Sequence, residues 1–113
     1  MNDQADTLAA QLAPYRETPG ILAALLISRD GFVVASDADA GFAVDAVAAQ
    51  VAGVIDIGAR LAAELARPEA RYISVDFDDL SVVLAPFGSE LLLVLVGLHS
   101  ALTCDYRLIK PDA

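Results

Sequence analysis

Residues 71–98, RYISVDFDDLSVVLAPFGSELLLVLVGL, decide the fold. The run RYISVDF alternates polar and apolar side chains with the two-residue period of a strand, Asp78-Asp79 supplies turn formers, and LSVVLAPF leads the chain back. Gly88-Ser89 turns it again before ELLLVLVGL. Three consecutive strands in an antiparallel meander are expected. They differ in an informative way: Leu91–Leu98 is apolar at nearly every position, as in a strand covered on both faces, whereas the alternating run 71–77 reads as an edge strand.

Upstream, residues 43–66 form the longest helically periodic segment, closed by Arg67-Pro68. Placed on a wheel, the segment sorts into three faces. Val44, Val47, Val51, Val54, Leu61 and Leu65 make a bulky stripe expected to pack on the sheet, with Gly58 permitting close approach. Asp45, Asp56, Arg60, Glu64 and Arg67 make a polar stripe, in which Asp56 with Arg60 and Arg60 with Glu64 are favourable i,i+4 pairs. Between them lie Ala48, Ala52, Ala59, Ala63 and Ala66. Alanine suits any helix, but a sector of small side chains also allows a second helix to approach closely.

Before that helix, Ile21–Ser28 (ILAALLIS) is apolar almost throughout, Asp30-Gly31 is a tight-turn pair, and FVVAS follows, so a hairpin is expected with its first strand central. From Asn2 or Asp3, Leu8 and Leu12 are spaced for a short helix that Pro14 would stop. In the tail, Leu102, Tyr106 and Ile109 are near helical spacing ahead of Pro111, compatible with a short last helix. The resulting class is α+β, a five-stranded antiparallel sheet flanked by helices in the order α-β-β-α-β-β-β with an optional final α, and residues 1–113 read as one domain.

Composition narrows the partners. A hydrophobic share of 57% exceeds what a chain of 113 residues readily hides, so part of it is expected to face another protein. Sixteen acidic against seven basic residues leave a net charge of -9, which disfavours nucleic acid and anionic membranes. The start MNDQAD lacks the features of a signal peptide and Cys104 has no second cysteine to pair with, so the expected location is the cytoplasm. The uninterrupted apolar runs fall well short of the ~20 residues that cross a bilayer.

Taken together, GILAALLISRDGFVVASD (residues 20–37), the long alanine-rich helix and YISVDFDDLSVVLAPFGSELLLVLV (residues 72–96) resemble the Roadblock/dynein light chain domain family, whose fold is longin-like and whose bacterial members include the MglB-like proteins. The shared marks are the apolar strand ending in Ser28-Arg29-Asp30-Gly31, the helix after a short polar loop, and Pro86 and Gly88 before an aliphatic strand. The resemblance implies a homodimer with the long helices side by side and the third strands joined. Its seam would comprise Ala48, Ala52, Ile55 and Ala59 with Tyr72, Ser74 and Asp76. It further implies a scaffold or regulator of a small Ras-like GTPase, met near Gln50, Asp56, Arg60 and Glu64. The tail DYRLIKPDA is shorter than the terminal helix of many relatives.

No residue pattern specifies catalysis. Lys110, the sole lysine, is not in a glycine-rich phosphate loop, and His99 has no second histidine or thiol to complete a metal site with Cys104. Asp37, Asp39 and Gly41 lack the remaining ligands of a calcium loop, and are better explained as carboxylates ahead of a helix. Arg60 as an arginine finger competes with its two acidic i±4 neighbours and reads as an ion-pair residue. The expectation is therefore a non-enzyme without cofactor or metal that acts by protein-protein binding. The alternative is a small sensory or ligand-binding module of the same topology, against which stands the lack of convergent polar groups at core positions.

Overall fold

In a computed structural model, which describes residues 3–98, the elements run α1 (Asp3–Ala10), α2 (Ala13–Arg16), β1 (Ile21–Ser28), β2 (Val33–Ala38), α3 (Val44–Glu64), β3 (Ile73–Asp76), β4 (Leu80–Phe87) and β5 (Leu91–Leu98). The strands form one antiparallel sheet in the order β2-β1-β5-β4-β3. As the hydrophobic patterns require, the two wholly apolar strands are interior and β3 is an edge. The segment for which a last helix was expected, with His99, Cys104 and Lys110, lies outside the described residues.

The sheet separates two cores, and the strands feed both by alternation. On β5, Leu93 and Leu95 point to one side, where Leu12, Leu8 and Tyr15 cover them, while Leu92, Val94 and Val96 point to the other, against Ala48 and Val51 of α3. Burial on both faces is why this strand shows no polar alternation. The pairing of β1 with β5 shifts between Ile21 and Ala23, and this bulge puts Ile21 in the first core and Ala23 in the second.

One local expectation is corrected at the amino terminus. Pro14 does not end a helix; α1 stops at Ala10 and Pro14 sits in the first turn of α2, where its missing N–H costs nothing. Arg16, at the end of α2, then reaches the sheet. Its guanidinium donates to Asp37 at 3.1 Å, to Asp39 at 2.7 Å and to the Ile21 carbonyl at 2.7 Å. The bonds to Asp39 and Asp37 hold the Arg16 pKa above its ordinary value. These two carboxylates thus serve a tertiary ion pair rather than the amino terminus of the next helix, which was their expected role.

Helix α3 ends in a Schellman motif built on an unusual residue. The Arg67 N–H donates to the Ala62 carbonyl at 2.8 Å and the Ala66 N–H to that of Ala63 at 3.1 Å, with Ala66 at φ 55. Glycine normally occupies this left-handed position because a Cβ is strained there. Ala66→Gly is expected to raise stability by about 0.5–1 kcal/mol, seen as a higher urea midpoint with unchanged slope. An unchanged or lower midpoint would show that the carboxyl-terminal turn is already relaxed.

Candidate interaction surface

Helix α3 buries a narrow face. Ala48, Val51 and Ala62 are buried, and Val44, Val47, Val54 and Ile55 are partly covered; all but Ala62 belong to the core shared with the sheet. Gly58 permits the approach expected of it, since a Cβ there would stand 2.9 Å from Ile73 Cδ1. Leu61 and Leu65, expected on the sheet, are each 59% exposed, and Ile57 is 65% exposed. Spaced four apart, these three form one ridge along the flank of the helix. The helix is apolar enough for its length to match a membrane-crossing segment, yet only 17% of its most apolar window is buried within the chain.

The sheet continues the same surface. The Phe77 N–H donates to the Leu80 carbonyl at 2.7 Å, which extends the β3–β4 register and sets Phe77 opposite Leu80; Leu80 in turn pairs with Leu98. Residues opposite one another share a face, so Phe77, Leu80 and Leu98 make an apolar row on the α3 side. The next row is Val75, Val82 and Val96. Phe77 and Leu98 are 57% and 45% exposed. Of the seven large apolar side chains exposed among the described residues, five therefore lie on this one side: Ile57, Leu61, Leu65, Phe77 and Leu98. An open groove of about 480 Å³ runs between the helix flank and β3, bounded by Val54, Ile57, Leu61, Leu65, Tyr72 and Ile73.

The two sheet edges are not equivalent. In β2 the register shifts where Val34 is left unpaired, a bulge that disrupts the ladder and blunts strand addition. In β3 the pairing with β4 is regular from Ile73 to Asp76, and the opposite edge is open. Asp76, which could have blunted this edge, accepts hydrogen bonds from the hydroxyls of Ser74 at 3.0 Å and Ser81 at 2.8 Å, inside its own strand pair.

The residues expected at a seam thus divide. Tyr72, Ser74 and Asp76 are on or beside the open β3 edge, with Tyr72 half-buried and the other two exposed. The four helix residues of that expectation differ in exposure. Ala48 is wholly buried and has no surface left for a second helix, Ile55 packs into the α3-side core, and Ala52 faces the β1–β2 turn, where a Cβ on Gly31 would stand 3.0 Å from its own. Ala59 is exposed but lies at the rim of a small cleft near Arg29 and Tyr72. Ala48 and Ala52 accommodate the chain's own hairpin. The apolar ridge left a signal in the sequence: with Ile57 included, the bulky stripe is wider than the roughly 100° that one sheet face covers.

Gln50, Asp56, Arg60 and Glu64 are all exposed. Arg60 donates to Asp56 at 2.8 Å, which among the described residues is its ion pair; the expected contact with Glu64 is not formed. At 77% exposure the Arg60 side chain is in solvent, where such a pair contributes little.

The Roadblock/LC7 domain model matches residues 2–97. No curated protein matches the chain by sequence. Among solved structures, the gliding protein MglB from Thermus thermophilus is 26% identical with a TM-score of 0.76, over 96% of this chain and 82% of that one. An MglB structure with a tetrameric arrangement is 25% identical with a TM-score of 0.77, over 96% and 81%. Myxococcus xanthus MglB, at 15% identity, superposes with a TM-score of 0.84 over 99% and 85%, which speaks for the fold alone.

Proposed function

The chain belongs to the Roadblock/LC7 domain family, and from that premise we propose that it is a homodimeric regulator or scaffold for a small Ras-like GTPase, acting by protein-protein binding with no catalytic group of its own. The observation that carries the self-pairing is the gathering of five of seven exposed large apolar side chains on one face, next to the regular open edge of β3. A monomer gains nothing from such a face, and a two-fold pair covers it with itself. Antiparallel pairing of the two β3 edges would bring the Ile57, Leu61 and Leu65 ridge of each copy over the Phe77, Leu80 and Leu98 corner of the other. Each copy would then supply what the other lacks.

The GTPase reading is supported by family membership and by the similarity to MglB structures. The residues proposed to face it are Gln50, Asp56, Arg60 and Glu64, all exposed, of which Asp56, Arg60 and Glu64 lie on the side of α3 away from the sheet and stay exposed when the ridge is covered. The test has two arms. Light scattering at micromolar concentration is expected to give twice the chain mass, and a stable single chain would remove the dimer. Titration with a small Ras-like GTPase of the same organism, loaded with GDP or a GTP analogue, is expected to give a complex that depends on the nucleotide. Absence of a complex in both states would remove the partner.

A further inference from the structure

One exposed aromatic side chain belongs to neither the cores nor the self-pairing face. Phe32 closes the β1–β2 turn and is 72% exposed, more than any other large apolar side chain among the described residues. Isolated exposed apolar residues are common and by themselves mean little. Phe32 differs in how firmly it is held. Its N–H donates to the Ser28 Oγ at 3.1 Å and its carbonyl accepts from the Ser28 N–H at 2.8 Å, while the Gly31 N–H donates to the Ser28 carbonyl at 3.0 Å. Gly31, at φ +94, presses the turn onto α3: a Cβ there would stand 3.0 Å from the Ala52 Cβ, 3.3 Å from the Ala48 carbonyl oxygen and 3.7 Å from the Ala49 Cα. Only glycine fits at that position, and only small helix residues admit the turn.

The alanines are therefore the seat of a rigid loop that holds an aromatic ring out into solvent. A ring on a fixed backbone loses little conformational entropy on binding, which is the condition for an anchor residue. The turn sits on Ala48, Ala49 and Ala52, the flank of α3 opposite the ridge, so self-pairing leaves Phe32 uncovered. The surroundings are acidic. Asp30 precedes Gly31 in the turn and Asp45 lies one helical turn before Ala49, in a chain of net charge -9, while Arg29 beside Asp30 is paired with Glu69 and Asp56, one turn after Ala52, is paired with Arg60. A second copy of the chain would present the same acidic rim and be repelled.

Resting on the GTPase reading above, we propose that Phe32 anchors the partner-docking surface. The ring enters an apolar recess on the GTPase that is rimmed by lysine or arginine side chains, with Asp30 and Asp45 facing that rim. A two-fold pair carries two such surfaces, at its outer flanks. Binding should then weaken with salt, because the rim charges steer association.

The test measures binding of the fluorescently labelled GTPase, in GDP and GTP-analogue forms, to the full chain and its variants. Phe32→Ser is expected to raise Kd at least tenfold with solution mass and circular dichroism unchanged, and Phe32→Leu to retain most of the affinity. Asp45→Lys is expected to slow association and flatten its salt dependence. Wild-type affinity in Phe32→Ser would overturn the anchor while leaving the GTPase reading intact. If the wild-type chain binds neither form, the GTPase reading itself fails, and the assignment of this surface fails with it.

Discussion

Leu61→Asp is expected to convert pairs into single chains while leaving the fold in place. Leu61 is 59% exposed and so contributes little to the core of its own chain. In a two-fold interface it is buried twice, once from each copy. Full burial of a leucine is worth about 1.5–3 kcal/mol; with 59% of Leu61 left to cover, its loss from both copies removes roughly 2–3.5 kcal/mol, at least about twentyfold in the dimer dissociation constant. Placing two carboxylates in an apolar contact adds a desolvation cost in the same direction. Sedimentation velocity at micromolar concentration reads the mass, and the far-ultraviolet spectrum checks the fold. A variant that stays paired at wild-type concentrations would show that the ridge is not the seam. Ala52→Arg, the substitution that the alanine sector of the sequence suggests, should behave differently. A long side chain at Ala52 collides with the Gly31 turn, so it is expected to disturb the hairpin and, through it, the position of Phe32.

Gly97→Val is expected to be the most damaging substitution in the fold. A Cβ at Gly97 would stand 2.8 Å from the Gly20 carbonyl oxygen, 3.0 Å from Ile21 Cδ1 and 3.2 Å from Ile21 Cα. Two of those three atoms are backbone and cannot rotate away. They also belong to the place where β1 bulges against β5, tied by the Leu98 N–H to the Gly20 carbonyl at 2.8 Å. Overpacking of this kind costs about 3 kcal/mol, and at the outer end of two central strands it would part them. The expected reading is a melting temperature lower by roughly 10–15 °C, with loss of amide protection starting at the β1–β5 pairs. A variant that melts within a few degrees of wild type would mean that the bulge can shift to admit a side chain. Val96→Ala, one residue earlier in the α3-side core, provides the contrast. It removes methyls rather than colliding with backbone, and it should cost less.

The sheet was legible because its signals are local. Uninterrupted apolarity in Ile21–Ser28 and Leu91–Leu98, alternation in residues 71–77, and turn pairs at Asp30-Gly31, Asp78-Asp79 and Gly88-Ser89 each follow from neighbours a few residues apart. They yield the strands, their edge or interior rank and the class of fold, as the observed order β2-β1-β5-β4-β3 bears out. Gly58 was also legible, because a missing side chain on the sheet-facing stripe invites contact. Pro14 was misread because proline is tolerated in the first turn of a helix, and nothing in the surrounding residues separates a stop from a restart.

The interaction surface was legible only in kind. The excess of apolar residues and the three faces of α3 implied that a helix flank meets another protein; the flank proposed for self-pairing is the apolar ridge rather than the alanine sector. A helical wheel ranks side chains around an axis and contains no direction for the sheet. That direction is fixed by contacts between distant parts of the chain: Gly58 on Ile73 at one end of α3, and the Gly31 turn on Ala48 and Ala52 nearer the other. These contacts turn Ala48 and Ala52 inward and leave Ile57, Leu61 and Leu65 outside. Local periodicity determined which elements form and what they are made of; which face each one keeps for itself was decided by packing between residues that the sequence places far apart.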